Sequence, residues 1–169
     1  METIVFKFSL PTSAIMLNIG IVVFVAVIFV FSLFKTKGWQ KTISLIIIGS
    51  LFVFFIFLFL IFPFTNAVKF DGENVVLNAL PFGRKTIAID SAEIVGIIDW
   101  TEERDFEPTV RTNGASTGLY KVGWFRLRNG SKAFIMTARS KAFVMKSEDI
   151  YYLISPDELQ EFADVIYSN

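Results

Sequence analysis

The chain has 169 residues, 16 basic and 16 acidic side chains, and neither cysteine nor histidine. Zero net charge gives no global field for nucleic acid, and the missing residues exclude disulfides, Cys/His zinc sites, Ser-His-Asp triads and Cys-His dyads. Hydrophobic residues make up 53% of the sequence, with a mean hydropathy of +0.56, and the excess is concentrated in two runs near the N-terminus.

Residues 1–13 form an N-terminal tail. Ile4, Phe6, Phe8 and Leu10 alternate with Val5, Lys7 and Ser9, the period of a short half-buried strand. Pro11 ends it, and Thr12 or Ser13 is placed to cap a helix. The charged start and small-residue cleavage site of a signal peptide are missing.

Ala14 to Phe34 is 21 residues without a charge, and Ile43 to Phe62 is 20 more. At ~1.5 Å per residue each helix reaches about 30 Å, the hydrocarbon thickness of a bilayer. Residues 14–62 therefore read as a two-helix transmembrane hairpin with loop 35–41. Asn18 is the most polar group inside it and reads as an interfacial or interhelical hydrogen bond. With no acid or base in either run there is no proton or ion path, and the pair reads as an anchor. Lys35, Lys37 and Lys41 make the loop basic, which predicts a cytoplasmic loop and an extracytoplasmic N-terminus and C-terminal domain. Lys7 and Lys69 oppose that orientation. Two crossings put the tail on the domain's side, where it is able to pair with a sheet edge.

Pro63 stops the second helix, and residues 63–169 change to period two. The expected strands are 67–70, 74–80, 84–89, 94–101, 119–128, 132–138, 142–146 and 150–154. Asp90-Ser91-Ala92-Glu93 has capping-box spacing, predicting a helical turn. Arg111-Thr112-Asn113-Gly114 reads as a structured turn, since the helix and lysine of a phosphate loop are missing. Asn129-Gly130 predicts a type I′ hairpin turn. Lys132-Ala-Phe-Ile-Met136 and Lys141-Ala-Phe-Val-Met145 share a pattern and read as neighbouring antiparallel strands. The C-terminal segment predicts a helix with Ser155 as N-cap, Pro156 first and Glu158 closing a capping box. Leu159, Phe162, Ala163 and Ile166 mark its apolar face.

The stretch Pro108-x-x-Arg111-Thr-Asn-Gly114-x-x-x-Gly118-x-Tyr120-x-x-Gly123-x-Phe125-x-Leu127-x-Asn129-Gly130 is followed by Tyr151, Ile154-Ser155-Pro156-Asp157 and Phe162. Over residues 67–169 these resemble bacterial pleckstrin-homology-like (PH-like) domains of small membrane proteins, which also carry helices ahead of the domain. The resemblance implies a membrane α-helical hairpin plus a mainly-β PH-like barrel of about seven strands and a C-terminal helix that covers one end. Arg84 and Lys85 lie near a turn where eukaryotic PH domains hold phosphoinositides, but the surrounding basic pattern is missing, so that specificity does not carry over.

Charge is segregated along the domain. From Arg111 to Lys146 there are eight bases and no acid, with acidic segments on both sides. The bases either pair with the acidic loops or form a face for anionic lipid or envelope polymer. Arg111, Lys121, Arg126, Arg128, Lys132, Arg139 and Lys141 are the candidate contacts. Asp99, Glu102, Glu103 and Asp105 form an acidic loop whose spacing matches no EF-hand. Trp100, Trp124 and Phe125 read as core. Together these features predict a non-enzymatic membrane-anchored interaction module with no cofactor and no metal. Its partners are the bilayer and an anionic lipid group or a membrane or envelope protein. The alternative is a small accessory subunit of a larger membrane complex such as a transporter.

Overall fold

The computed structural model describes residues 3–35 and 38–168. Thr36 and Lys37 of the basic loop lie outside them. The chain forms two compact units, Thr12–Phe64 and Met1–Pro11 with Thr65–Asn169.

The first unit holds α1 (Thr12–Lys35) and α2 (Trp39–Ile56). The helices extend further into the expected loop than the charge pattern implied, because Lys35 and Trp39 are already helical. Beyond Ile56 the helix widens to a π turn at Phe57–Ile61 and tightens to a 3₁₀ turn at Phe62–Thr65. Phe29 of α1 stacks on Phe52 of α2 with ring centroids 5.7 Å apart. Two segments, Thr12–Phe34 and Leu45–Thr65, are long and apolar enough to cross a membrane, and only 11% and 0% of their apolar windows are buried by protein. A core helix of a soluble protein would be largely covered, so this apolar surface calls for lipid or a partner.

The second unit has ten strands in two sheets among the described residues: the tail strand, the eight expected after Pro63 and one more at Pro108–Thr117, against the about seven implied by the PH-like resemblance. The first sheet runs in chain order: β1 (Ile4–Lys7), β2 (Ala67–Phe70), β3 (Asn74–Ala79) and β4 (Gly83–Ala88), antiparallel throughout. The tail is thus its first strand, with Lys7 opposite Ala67 and Ile4 opposite Phe70. The hairpin is a long insertion between two neighbouring strands. Phe6 and Phe8 are buried. Val75, Leu77 and Ala79 are buried while Asn74, Val76 and Asn78 are partly open, the alternation of a sheet with one covered face.

The second sheet contains β5 (Glu93–Asp99), β6 (Pro108–Thr117), β7 (Tyr120–Leu127), β8 (Lys132–Thr137), β9 (Lys141–Ser147) and β10 (Ile150–Ile154) in the order β5-β9-β10-β8-β7-β6. β8 and β9 are not neighbours, contrary to the expectation from their shared pattern. β10 lies between them, antiparallel to β9 and parallel to β8. Residues 133–137 and 142–145 are fully buried, so these strands are covered on both faces. One face carries Phe125, Leu127, Ala133, Ile135, Ala142, Val144 and Leu153, covered by Trp100 and Phe106 of the segment joining β5 to β6. Across the other face lies α3 (Leu159–Tyr167), whose Phe162 meets Phe143 at 5.4 Å and Phe6 at 5.2 Å, edge to face.

Three local expectations are corrected. Ile89–Ser91 is a single 3₁₀ turn without a side-chain cap, and Glu93 already belongs to β5. In the β7–β8 turn only Gly130 has a positive φ, of 84°, while Asn129 accepts from the Ser131 N–H at 2.9 Å; a tight turn followed by a glycine replaces type I′. Ser155 is not the cap of α3. Its N–H donates to the Met136 carbonyl at 2.8 Å, which keeps the chain extended, and the helix begins at Leu159. Asp157 has another task there. Its N–H donates to the Lys7 carbonyl at 2.9 Å, and its carboxylate accepts from the Ser9 N–H at 3.1 Å and the Ser9 hydroxyl at 2.5 Å.

Candidate functional site

The stretch Arg111-Thr112-Asn113-Gly114 forms no turn; it lies within edge strand β6. Its polar residues are consistent with a strand because the pairing with β7 is irregular. The register shifts between Pro108 and Val110 and again between Arg111 and Asn113. At each bulge a threonine hydroxyl donates to a β7 carbonyl, Thr109 to Arg126 and Thr112 to Trp124, both at 3.1 Å. Next to the second bulge the strands pinch. A Cβ on Gly114 would lie 2.3 Å from the Val122 oxygen, and one on Gly123, whose φ is +113°, would lie 2.4 Å from the Asn113 oxygen. Both positions require glycine.

A groove of about 370 Å³ opens beside this irregularity, lined by Thr112, Asn113, Trp124, Phe125, Arg126, Lys132 and Ile150. Arg126 faces Lys132 across the β7–β8 ladder, so two cations share one face with Trp124. The Arg126 guanidinium donates to the Gly130 carbonyl at 3.3 Å. Lys85 of β4 places its ammonium 4.6 Å above the Trp124 ring. The first sheet thus contributes a cation over the negative face of the indole, although Lys85 does not itself line the groove. No acid lines the groove among the described residues.

The other candidate bases go elsewhere. Arg111 pairs in register with Phe125 and is exposed on the opposite face. Lys121 lies on that face too, 5.7 Å over the Trp100 ring, donating to the Ser116 hydroxyl at 3.2 Å and the Gly118 carbonyl at 3.3 Å. Desolvation lowers its pKa, opposed by the charge of Glu107. Arg128 forms a two-nitrogen contact with Glu107 at 2.6 and 3.0 Å, a pairing of basic strand with acidic loop. Arg139 and Lys141 line a second groove, of about 480 Å³, with Asp157, Glu158 and Glu161, where the charges are mixed. The Arg139 guanidinium is 3.9 Å from the Asp157 carboxylate.

Trp100 joins the core, Phe125 belongs to the core and also lines the groove, and Trp124 lines the groove. In the acidic loop, Asp99 is engaged in hydrogen bonds. Its carboxylate accepts from the Thr101 hydroxyl and N–H and from Ser140, which holds its pKa below the ordinary value in that order of importance. Among the described residues no three acids converge as a metal site would need. Sequence reasoning placed Arg126 and Lys132 among the candidates but missed the approach of Lys85 to Trp124, since it comes from another sheet. The glycines at 114 and 123 were the available signal.

Two sheets followed by a C-terminal helix are consistent with a PH-like domain. The family model described as "Bacterial PH domain" matches residues 67–169, more than half of the chain, and the chain belongs to that family. The match does not include β1. No curated protein and no solved structure gives a significant match.

Proposed function

We propose that the chain is a non-enzymatic interaction module, tethered by a hairpin that crosses the bilayer twice. Its PH-like domain and N-terminus lie together on the extracytoplasmic side and engage anionic groups of the envelope, on lipid or on a protein. The observation that carries the reading is the basic groove at Arg126 and Lys132, free of acids among the described residues, on a domain whose first two strands bracket the hairpin. Near an anionic surface each base contributes ~1 kcal/mol, enough for a few to orient a tethered domain. The test uses the full chain in neutral nanodiscs, with capture of anionic vesicles measured by co-flotation. Arg126→Glu with Lys132→Glu abolishes capture; unchanged capture overturns the reading. Protease digestion of intact cells reaches the domain if the orientation is as proposed.

A second reading, an accessory subunit docked through its helices, is favoured by an apolar groove of about 390 Å³ on α1 between Val23 and Phe34. Purification in mild detergent separates the two, since a partner retained only when the helices are present supports docking.

A further inference from the structure

We infer that the edge of β2 is a strand-acceptor site and that in the membrane it takes the N-terminal tail of a second copy of this chain, so that neighbouring molecules exchange β1. The inference rests on the hairpin crossing the bilayer twice and is independent of the basic groove. Three observations carry it.

The first is that the acceptor is complete without the tail. Ala67 to Phe70 of β2 pair with Lys7 to Ile4. Phe162 of α3 and Tyr120 of β7 meet Phe6 and Phe8, and both tail rings are buried. Asp157 takes the Lys7 carbonyl with its N–H and the Ser9 N–H and hydroxyl with its carboxylate. Every one of these groups lies within residues 67–169, the span of the family match. The tail is thus an addition to a domain that already holds its receptor.

The second is selectivity. When a strand is added to a sheet edge, main-chain hydrogen bonds attach it and alternate side chains specify it. Phe6 and Phe8 point inward, while Val5 and Lys7 are exposed. The slot therefore fits an extended segment with aromatic rings at two alternate positions and a small hydroxyl residue after the second. A second copy carries that segment as Phe6-Lys7-Phe8-Ser9. Two crossings hold its tail on the side of the membrane where the acceptor lies.

The third is the connection. β1 reaches β2 through residues 12–64 and not through a tight turn, so no turn dictates which copy of β1 fills the edge. Exchange replaces each contact by an identical one from the neighbour, and only residues 8–11, which form neither helix nor strand, change course. Four extended residues reach about 14 Å, and packed helices lie about 8–10 Å apart, so the tail spans to the neighbour when two α1 helices touch. An edge strand with four register pairs detaches by local opening, without unfolding of the domain.

The experiment uses two full-length chains with different affinity tags, one Val5→Cys and the other Lys69→Cys, reconstituted together in liposomes and oxidised with copper phenanthroline. The native chain has no cysteine, and both positions are exposed. They are ladder partners, so a disulfide joins them when β1 of one copy sits on β2 of the other. Thr86→Cys replaces Lys69→Cys as the control. Thr86 is exposed in the same row, with Val76 between it and Lys69, about 14 Å from Val5. The expected yield of mixed dimer is about fivefold or more higher with Lys69→Cys than with Thr86→Cys. Equal yields report random collision and overturn the exchange. Absence of the mixed dimer overturns it too, and closure of the disulfide within a chain carrying both cysteines then places the tail on its own domain. A Lys69→Cys acceptor lacking residues 3–9 has an empty edge, and its yield with Val5→Cys rises about twofold or more. An unchanged yield with that acceptor folded overturns the edge as a shared site; if it does not fold, the full-length pair decides alone.

Discussion

The two sheets of the β-domain are built on opposite principles. In the four-stranded sheet spatial order is chain order, every pair is antiparallel, and β3 alternates buried and partly open residues. In the six-stranded sheet the last strand is inserted between two earlier ones, parallel to β8, and the central strands are buried on both faces. Yet the simpler sheet contains the longer interruption, since residues 12–64 lie between β1 and β2. Loop-closure entropy rises only slowly with length, and the inserted segment is itself a folded hairpin, so a neighbouring strand pair survives the insertion. Sheet simplicity therefore depends on pairing pattern, not on contiguity of chain.

The largest expected effect tests whether the two sheets are one cooperative unit. Phe162 is fully buried and touches β1 through Phe6 and β9 through Phe143. Phe162→Ala removes the ring that both sheets share and costs about 3–5 kcal/mol. Urea unfolding of the full chain in mild detergent, followed by circular dichroism and by proteolysis of the tail, is expected to show one transition moved to lower urea by both probes. Release of the tail alone, with the β-sheet signal unmoved, would separate the sheets and break the comparison.

The same contrast explains what the sequence made legible. β2, β3 and β4 were readable because period two identifies both the strand and its covered face. β8 and β9 were readable as strands, but near-continuous apolar runs such as Ala133 to Met136 carry no register information, and their matching patterns suggested direct pairing. The choice of β10 as the intervening strand depends on contacts distant in sequence. β6 was missed because Arg111-Thr112-Asn113-Gly114 has turn composition; its bulges and its glycine pinch accommodate those residues in a strand. Ser155 had the right type and spacing for a cap, but its N–H continues the extended chain toward Met136. The basic stretch was visible as a run, yet alternate residues of a strand face opposite ways. Arg126 and Lys132 share the groove, while Lys121 lies over Trp100 on the other face.

A middle-sized effect sharpens the comparison through pH. Tyr120 begins β7 and stacks on Phe8 of the tail at 6.1 Å. Burial pushes its phenol up to about 12, from an ordinary value of 10.0. The folded-state pKa is raised, so the stabilisation is fully present below pH 10 and is lost as pH rises through 12. The loss amounts to roughly 2–3 kcal/mol. Unfolding midpoints measured across that window fall steeply for the native chain, whereas Tyr120→Phe keeps the ring and flattens the fall. An equal slope in the variant would transfer the effect to another group, with Tyr152 the first to test, since burial raises its pKa too.

The smallest effect isolates the edge of the simpler sheet. β1 has four register pairs, and beyond it Asp157 holds Lys7 and Ser9 through three hydrogen bonds. Asp157→Asn keeps the backbone donor to Lys7 and replaces a charged acceptor at a partly exposed position, at a cost of about 1 kcal/mol. Because the loss is local, the β-sheet unfolding midpoint moves little while amide exchange of residues 4–7 accelerates about fivefold. Val5 and Lys69 are register partners in a chain without cysteine, so Val5→Cys with Lys69→Cys introduces one possible intramolecular disulfide. Oxidising that pair before the exchange measurement restores slow exchange in the Asp157→Asn background. If exchange stays fast with the strand pinned, Asp157 acts on the start of α3 and not on the tail. The first sheet would then owe its edge to the ladder and to Phe6 alone.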